Sequence, residues 1–269
     1  MMIRVGTAGV PLSSPERDTL SGIKFVRELG LDAMELEFVR SVYLNEEGAK
    51  KAGNTAKELD VRLSVHAPYY INLNSEEDDK LEASKERIIQ SARIGEKAGA
   101  MIVVFHPGYY GKKTKEETME AIMQQTREIR ETLNKEGNKI LLGPETTGKV
   151  KQFGTLEELI EVAKKVKGVQ PVVDFGHMHA RYNGGLRTKA DFERVFDKMQ
   201  ASSGKPMHIH AACIEYSEKG ELRHLPIEAK EPDYHHMTDI LKERRIDCTI
   251  ISESPNIEAD ALKIKKMLS

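Results

Sequence analysis

The chain has 269 residues, with 39% hydrophobic residues, no Trp, 20 Gly and 10 Pro, which excludes disordered, collagen-like and membrane-spanning classes. Lys+Arg number 41 against 43 Asp+Glu, so a formal charge of −2 removes the whole-molecule signature of a nucleic-acid binder while allowing a local basic patch. Cys213 and Cys248 make neither a CxxC pair nor a disulfide framework, and the opening Ile3-Arg4-Val5-Gly6 has no apolar leader, so an intracellular, cytoplasmic protein without membrane association is expected.

Short apolar, β-branched runs alternate with stretches of helical periodicity. In chain order the pattern predicts strands at 3–7, 33–36 and 62–66, a helix at 79–98, a strand at 101–106 and a helix at 115–135. A strand at 140–145, a helix at 155–166, a strand at 171–174 and a helix at 189–199 follow. The last units are a strand at 207–210, a helix at 234–242, a strand at 249–253 and a helix at 256–267. Thr155 and Glu158 read as a capping box that fixes one helix start. Alternating strands and helices demand a parallel sheet, and eight units in roughly 250 residues match a (β/α)8 TIM barrel running as a single domain over 1–269. A doubly wound open sheet is the alternative; the chain lacks both GxGxxG after the first strand and GxxxxGK[ST]. Residues 211–233 show no clear element and follow the seventh strand, where barrels place site loops.

The chemistry-bearing residues gather at strand ends. Of nine histidines, His66, His106, His177 and His210 lie at or just past the C-terminal end of a predicted strand, as do Glu145, Asp174 and Glu253. In a barrel those ends converge on one mouth. A single histidine there is more often a hydrogen-bonded rim residue than a ligand, and Asp174 could simply cap the next helix. Invoking that explanation seven times at one face is less economical than a metal site, because unpartnered buried imidazoles and carboxylates are costly. Imidazole with carboxylate and no thiolate suits Zn, Mn or Fe(II), and the ligand count implies two or three ions sharing a carboxylate. Centres of that kind cleave phosphate esters.

At these positions the chain resembles the endonuclease IV family of apurinic/apyrimidinic endonucleases. The resemblance is carried by His66-Ala67-Pro68-Tyr69-Tyr70-Ile71-Asn72-Leu73, His106-Pro107-Gly108, Glu145-Thr146-Thr147-Gly148 and Asp174-Phe175-Gly176-His177. It continues through Gly185-Leu186-Arg187-Thr188 to Glu253-Ser254-Pro255-Asn256. It implies a zinc-dependent TIM barrel, manganese being the other candidate ion, that incises double-stranded DNA 5′ to abasic sites in base excision repair, acting at the nucleoid, with no obligatory protein partner.

By the same resemblance His66 and His106 would hold one zinc, and Glu145 would bridge to a second held by Asp174, His210 and Glu253. His177 and His224 would help hold a third, and Glu145 and Glu253 would carry catalysis. The chain departs from the family pattern in its last third. The family's His-Leu-Asn-Asp reads His210-Ala211-Ala212-Cys213 here, and its Asp-x-His reads Leu222-Arg223-His224. Glu221 could supply the missing carboxylate, and His208, on the same strand face as His210, stands as an alternative ligand or a supporting partner.

Tyr69, Tyr70 and Arg40 are the DNA-contacting residues that the resemblance implies, with Lys112, Lys113, Lys149, Lys151, Arg181 and Arg187 as phosphate contacts. The competing reading is a single-metal sugar isomerase or epimerase of the xylose-isomerase-like barrels, which would use only Glu145, Asp174, His210 and Glu253. A non-catalytic barrel is the third.

Overall fold

The computed structural model describes residues 2–202 and 206–269. Its strands are β1 (Ile3–Ala8), β2 (Ala33–Glu37), β3 (Arg62–His66), β4 (Ile102–Phe105), β5 (Gly108–Tyr109), β6 (Leu141–Pro144), β7 (Gln152–Phe153) and β8 (Val173–Asp174). They continue with β9 (Met207–Ala211), β10 (Cys213–Ser217), β11 (Gly220–Leu225) and β12 (Cys248–Ser252). The helices are α1 (Thr19–Glu28), α2 (Glu46–Glu58), α3 (Asp78–Lys97), α4 (Lys115–Lys135), α5 (Leu156–Lys165), α6 (Phe175–Arg181), α7 (Lys189–Ser202), α8 (His235–Arg244) and α9 (Glu258–Leu268).

Eight strands form one parallel sheet in the order β6-β4-β3-β2-β1-β12-β9-β8. Parallel bridges Leu142↔Val169 and Glu145↔Val172 bring its two edges together, so the sheet curls into the expected (β/α)8 barrel. Strand alternation then divides the side chains. Met34, Leu36, Leu63, Val65, Val103 and Phe105 join the main apolar core, whereas Ile102, Val104 and Val172 form a separate small cluster.

The expected capping box at the start of α5 is present with both arms, Glu158 N to Thr155 Oγ1 at 3.3 Å and Thr155 N to Glu158 Oε2 at 2.8 Å. The strand expected at 171–174 shrinks to Val173–Asp174, because Pro171 has no N–H to give a ladder. α1, α2 and α6 are the helices to which the sequence pattern gave no bounds. The apolar stripe of α2 is only Ala49, Ala52 and Ala56, and Gly53 lies where a Cβ would sit 2.7 Å from Ala98 O, so the close approach that makes this helix fit also erases its signal. The supposedly featureless stretch 211–233 contains the β10–β11 hairpin and a 3-10 turn at Ile227–Ala229. An isolated two-stranded ribbon is marginal, and its outer face carries Glu215, Leu222 and Arg223, so no alternation stands out.

Candidate metal centre

Parallel register sets donors from distant segments at one level. Asp174 pairs with His210 across β8 and β9, and Glu37 with His66 across β2 and β3. His106, Glu145 and Glu253 each sit one residue past β4, β6 and β12. Backbone bonds from Glu145 N to Phe105 O (3.0 Å) and from Glu253 N to Ala211 O (3.1 Å) tie two of them to neighbouring strands.

Glu145, fully buried, is the centre of the arrangement. Its Oε2 lies 2.9 Å from His106 Nε2 and 3.3 Å from His66 Nε2. Its Oε1 lies 3.1 Å from His210 Nδ1 and 3.2 Å from His177 Nδ1, and Glu253 Oε1 is 3.1 Å from the same nitrogen of His210. Of the five sets of donor atoms that fall within 4.8 Å of one another among the described residues, three hold the expected ligands: His66, His106 and Glu145; Glu145, Asp174, His210 and Glu253; and His177, Glu221 and His224.

The third set is built differently. Asp174 caps α6, accepting from His177 N at 2.6 Å, and so sets His177 one turn into the helix. Glu221 and His224 come from β11, with His177 Nε2 3.6 Å from Glu221 Oε2 and 3.4 Å from His224 Nε2. The hairpin is fastened by a bridge from Gly220 to Lys149 and by Glu221 N on Gly148 O at 3.1 Å. Gly220 has φ +97, and a Cβ there would lie 2.2 Å from Gly148 O, so only glycine lets the ribbon dock.

These donors fit a zinc or manganese centre. They are imidazoles and carboxylates, the combination such ions take. His66 Nδ1 faces Ala67 O at 2.8 Å and His224 Nδ1 faces Glu253 O at 2.9 Å, so each ring donates to a carbonyl from one nitrogen and turns the other toward the cluster. Asp174 Oδ2 is buried without a hydrogen-bond partner among the described residues.

Protons balance the charge in the metal-free cluster. Burial alone would push the His66 imidazolium down, but the hydrogen bond to Glu145 and the charges of Glu37, Glu145 and Glu35 raise it to about 10. His177 and His210 move the same way: burial opposes protonation, and the charges of Asp174 and Glu145 for the first and of Glu253, Glu35 and Glu145 for the second overcome it. Burial raises the Glu145 carboxyl, yet the His106 and His210 charges hold it well below the usual range. Glu253 drops to about 2 as His210 overcomes the effect of burial. Asp174 is raised to about 6 and Glu37 to about 8, chiefly by burial.

All eight residues expected at the metal centre therefore converge. His210, not His208, faces Glu145 and Glu253; His208 turns inward to Glu35, with Nε2 2.9 Å from its Oε2. Tyr69 and Tyr70 stand at the rim, 57% and 64% exposed, with Tyr69 5.9 Å from the His66 ring, and Arg40 is exposed beside Val39. Tyr69, Tyr109 and Lys149 line the cleft of about 480 Å3 that opens onto His66, His106 and His177. Arg181 and Arg187 already spend part of their guanidinium donors inside the protein. Arg181 bonds Lys149 O at 2.7 Å and Thr147 Oγ1 at 3.1 Å, and Arg187 bonds Gly184 O at 2.8 Å, so both guanidiniums brace loops. The sequence reading missed Glu35 and Glu37. Two acids at alternate positions of an otherwise apolar strand were the available signal.

The sequence model of one family, described as the xylose isomerase-like TIM barrel, matches residues 23–268. The chain belongs to this family. Across 99% of its length it is 39% identical to an uncharacterized protein of Methanocaldococcus jannaschii, covering 97% of that relative. A probable endonuclease 4 of Ureaplasma parvum is 26% identical over 172 residues, 60% of this chain and 55% of that one, so this likeness is partial. Among solved structures, endonuclease IV from Thermus thermophilus superposes with a TM-score of 0.75 at 18% identity, over 97% of this chain and 98% of that one. A D-tagatose 3-epimerase-like protein superposes with a TM-score of 0.73 at 23% identity, over 100% and 96%. The nuclease and the epimerase-like structure thus both share this chain's fold. No helix among the described residues is long and apolar enough to cross a membrane.

Proposed function

We propose that this protein is a metal-dependent phosphodiesterase that hydrolyses DNA on the 5′ side of abasic sites, as an apurinic/apyrimidinic endonuclease. The observation that carries the reading is the division of Glu145: one carboxylate oxygen faces His66 and His106, the other faces His210, and a third donor set stands beside it on His177, Glu221 and His224. A single-metal isomerase would have use for Glu145, Asp174, His210 and Glu253 and none for the other five. Zinc or manganese ions held there would polarise the phosphate, activate water near neutral pH and stabilise a departing 3′-oxygen.

The chain's own residues supply the rest. Glu145 fixes the spacing between donor sets, and Glu253 holds His210 and, through its carbonyl, His224. Tyr69 and Tyr70 offer exposed rings at the rim to bases or to the gap beside a flipped nucleotide, and Arg40 and Lys149 offer cations to the backbone. Support from the relatives is the partial likeness to probable endonuclease 4.

The test is an end-labelled duplex carrying one tetrahydrofuran residue, which resists lyase chemistry but is open to hydrolysis. In zinc- or manganese-replete buffer the expected product is a single cut 5′ to the lesion with a 3′-hydroxyl. No cut, together with epimerisation of a ketose, overturns the reading in favour of the isomerase.

A further inference from the structure

One buried polar trio joins His210 to two residues outside the donor sets above. Glu35, His208 and His210 are all fully buried, where barrel interiors are ordinarily filled by Val, Ile and Leu. Glu35 is on β2 and the histidines on β9, strands separated in the sheet by β1 and β12, so the three meet across the lumen. Ser64, in register with Glu35, donates its hydroxyl to Glu35 Oε2 at 2.6 Å, and His208 Nε2 lies 2.9 Å from the same oxygen. Two groups thus orient the carboxylate through one oxygen. The other, Oε1, is 3.0 Å from His210 Nε2 but poorly aligned with it, and neither atom has a satisfied hydrogen-bond partner among the described residues.

His210 decides what that means. A neutral imidazole carries one N–H and one lone pair. Its Nδ1 faces Glu145 and Glu253 at 3.1 Å each, so that side is the one turned toward a shared ion. The N–H then belongs on Nε2, and Glu35 Oε1 is the acceptor that faces it. A buried carboxylate behind a ligating histidine fixes its tautomer and strengthens it as a donor.

We infer that Glu35 is a positioning residue for the metal centre: it accepts the Nε2 proton of His210 and aims Nδ1 at the ion that Glu145, Asp174 and Glu253 would share, with Ser64 and His208 aiming Glu35. This rests on the metal reading above. The rival is that Glu35, His208 and His210, whose donor atoms also lie within 4.8 Å, themselves hold an ion.

The experiment measures zinc stoichiometry by elemental analysis, zinc affinity by chelator competition, and the visible spectrum of the cobalt-substituted protein. It is run on the wild type, Glu35→Gln, His208→Gln and Ser64→Ala, with circular dichroism as the fold check. In Glu35→Gln we expect the full number of ions at saturation, one of them bound about 10- to 100-fold more weakly, and a changed cobalt spectrum. His208→Gln keeps a donor to Glu35 and should stay near wild type. Should Glu35→Gln not fold, Ser64→Ala decides: it keeps the charge but loosens the carboxylate, and a few-fold weakening of the same ion is expected. A folded Glu35→Gln with unchanged affinity and spectrum, or Ser64→Ala unchanged where Glu35→Gln is unfolded, overturns the inference alone. Loss of one whole ion in His208→Gln overturns it in favour of the rival. A wild type that takes up no ion overturns both this inference and the proposed function.

Discussion

The donors held by barrel strands and those held by the hairpin differ in how they are fixed. His66, Asp174 and His210 lie in strands of the closed sheet, Glu145 and Glu253 one residue beyond, and all five side chains are buried or nearly so. Glu221 and His224 ride on a two-stranded ribbon, 20% and 26% exposed, joined to the barrel through Gly220, Gly148 and Lys149. The first group is placed by sheet register, which cannot slip by one residue without turning every side chain inside out. The second is placed by a docking contact, and a shift there moves two donors without disturbing the barrel. The contrast teaches that the two halves of the site should fail separately.

The largest expected effect comes from breaking the strand-held half. Glu145→Ala removes the carboxylate that two donor sets share, so incision of the tetrahydrofuran duplex should fall by at least about a thousand-fold, several kcal/mol of lost stabilisation. Elemental analysis should show two ions affected. Near-normal turnover with metal in excess would remove Glu145 from its central role.

A smaller effect is expected from the hairpin. His224→Ala should slow incision about 10- to 100-fold without moving the cut, and should weaken one ion only. Gly220→Ala sharpens the comparison, because the substitution touches no donor yet adds a Cβ against Gly148 O. It should reproduce the His224→Ala phenotype, with the zinc affinity of the other ions unchanged. If Gly220→Ala instead weakens all ions equally, the separation between strand and hairpin is wrong.

The same division explains what was legible in the sequence. Strand-borne donors announce themselves: a β-branched run ending in His66 or Glu253 gives both the element and the residue's position at its tip. Glu221 was harder, because it lies one residue out of the expected Asp-x-His spacing and its ribbon carries no apolar alternation. It reaches His177 only because the hairpin docks as it does, which is a tertiary fact. Glu35 lay in plain view in a predicted strand, but its meaning depends on β2 facing β9 across the lumen, a contact between residues 173 apart in sequence. Arg181 shows what charge and location leave out: its guanidinium also braces the carbonyl of Lys149, a bond that no spacing in the sequence announces.

The last expected effect, read on stability and not on incision, is a pH dependence that separates protons from metal as the source of counter-charge. His66 is raised to about 10 from an ordinary 6.5, as the hydrogen bond to Glu145 and the neighbouring carboxylates outweigh burial. A group raised on folding contributes stability in full below its unfolded pKa and loses it as pH climbs through the folded one, so in chelator-treated protein the loss begins near 6.5 and runs to about 10. Glu37, raised to about 8 mainly by burial, adds a loss of the same sign at lower pH. Thermal melts between about pH 6.5 and 9 should therefore show Tm falling for the metal-free protein, by roughly 2–4 °C for each kcal/mol lost. Zinc bound there would replace the imidazole protons rather than need them, so metal-loaded protein should lose less over the same window, and its affinity for zinc should rise with pH. Equal slopes with and without metal would mean that ions do not stand where the protons do, and would count against the strand-held half as a metal centre.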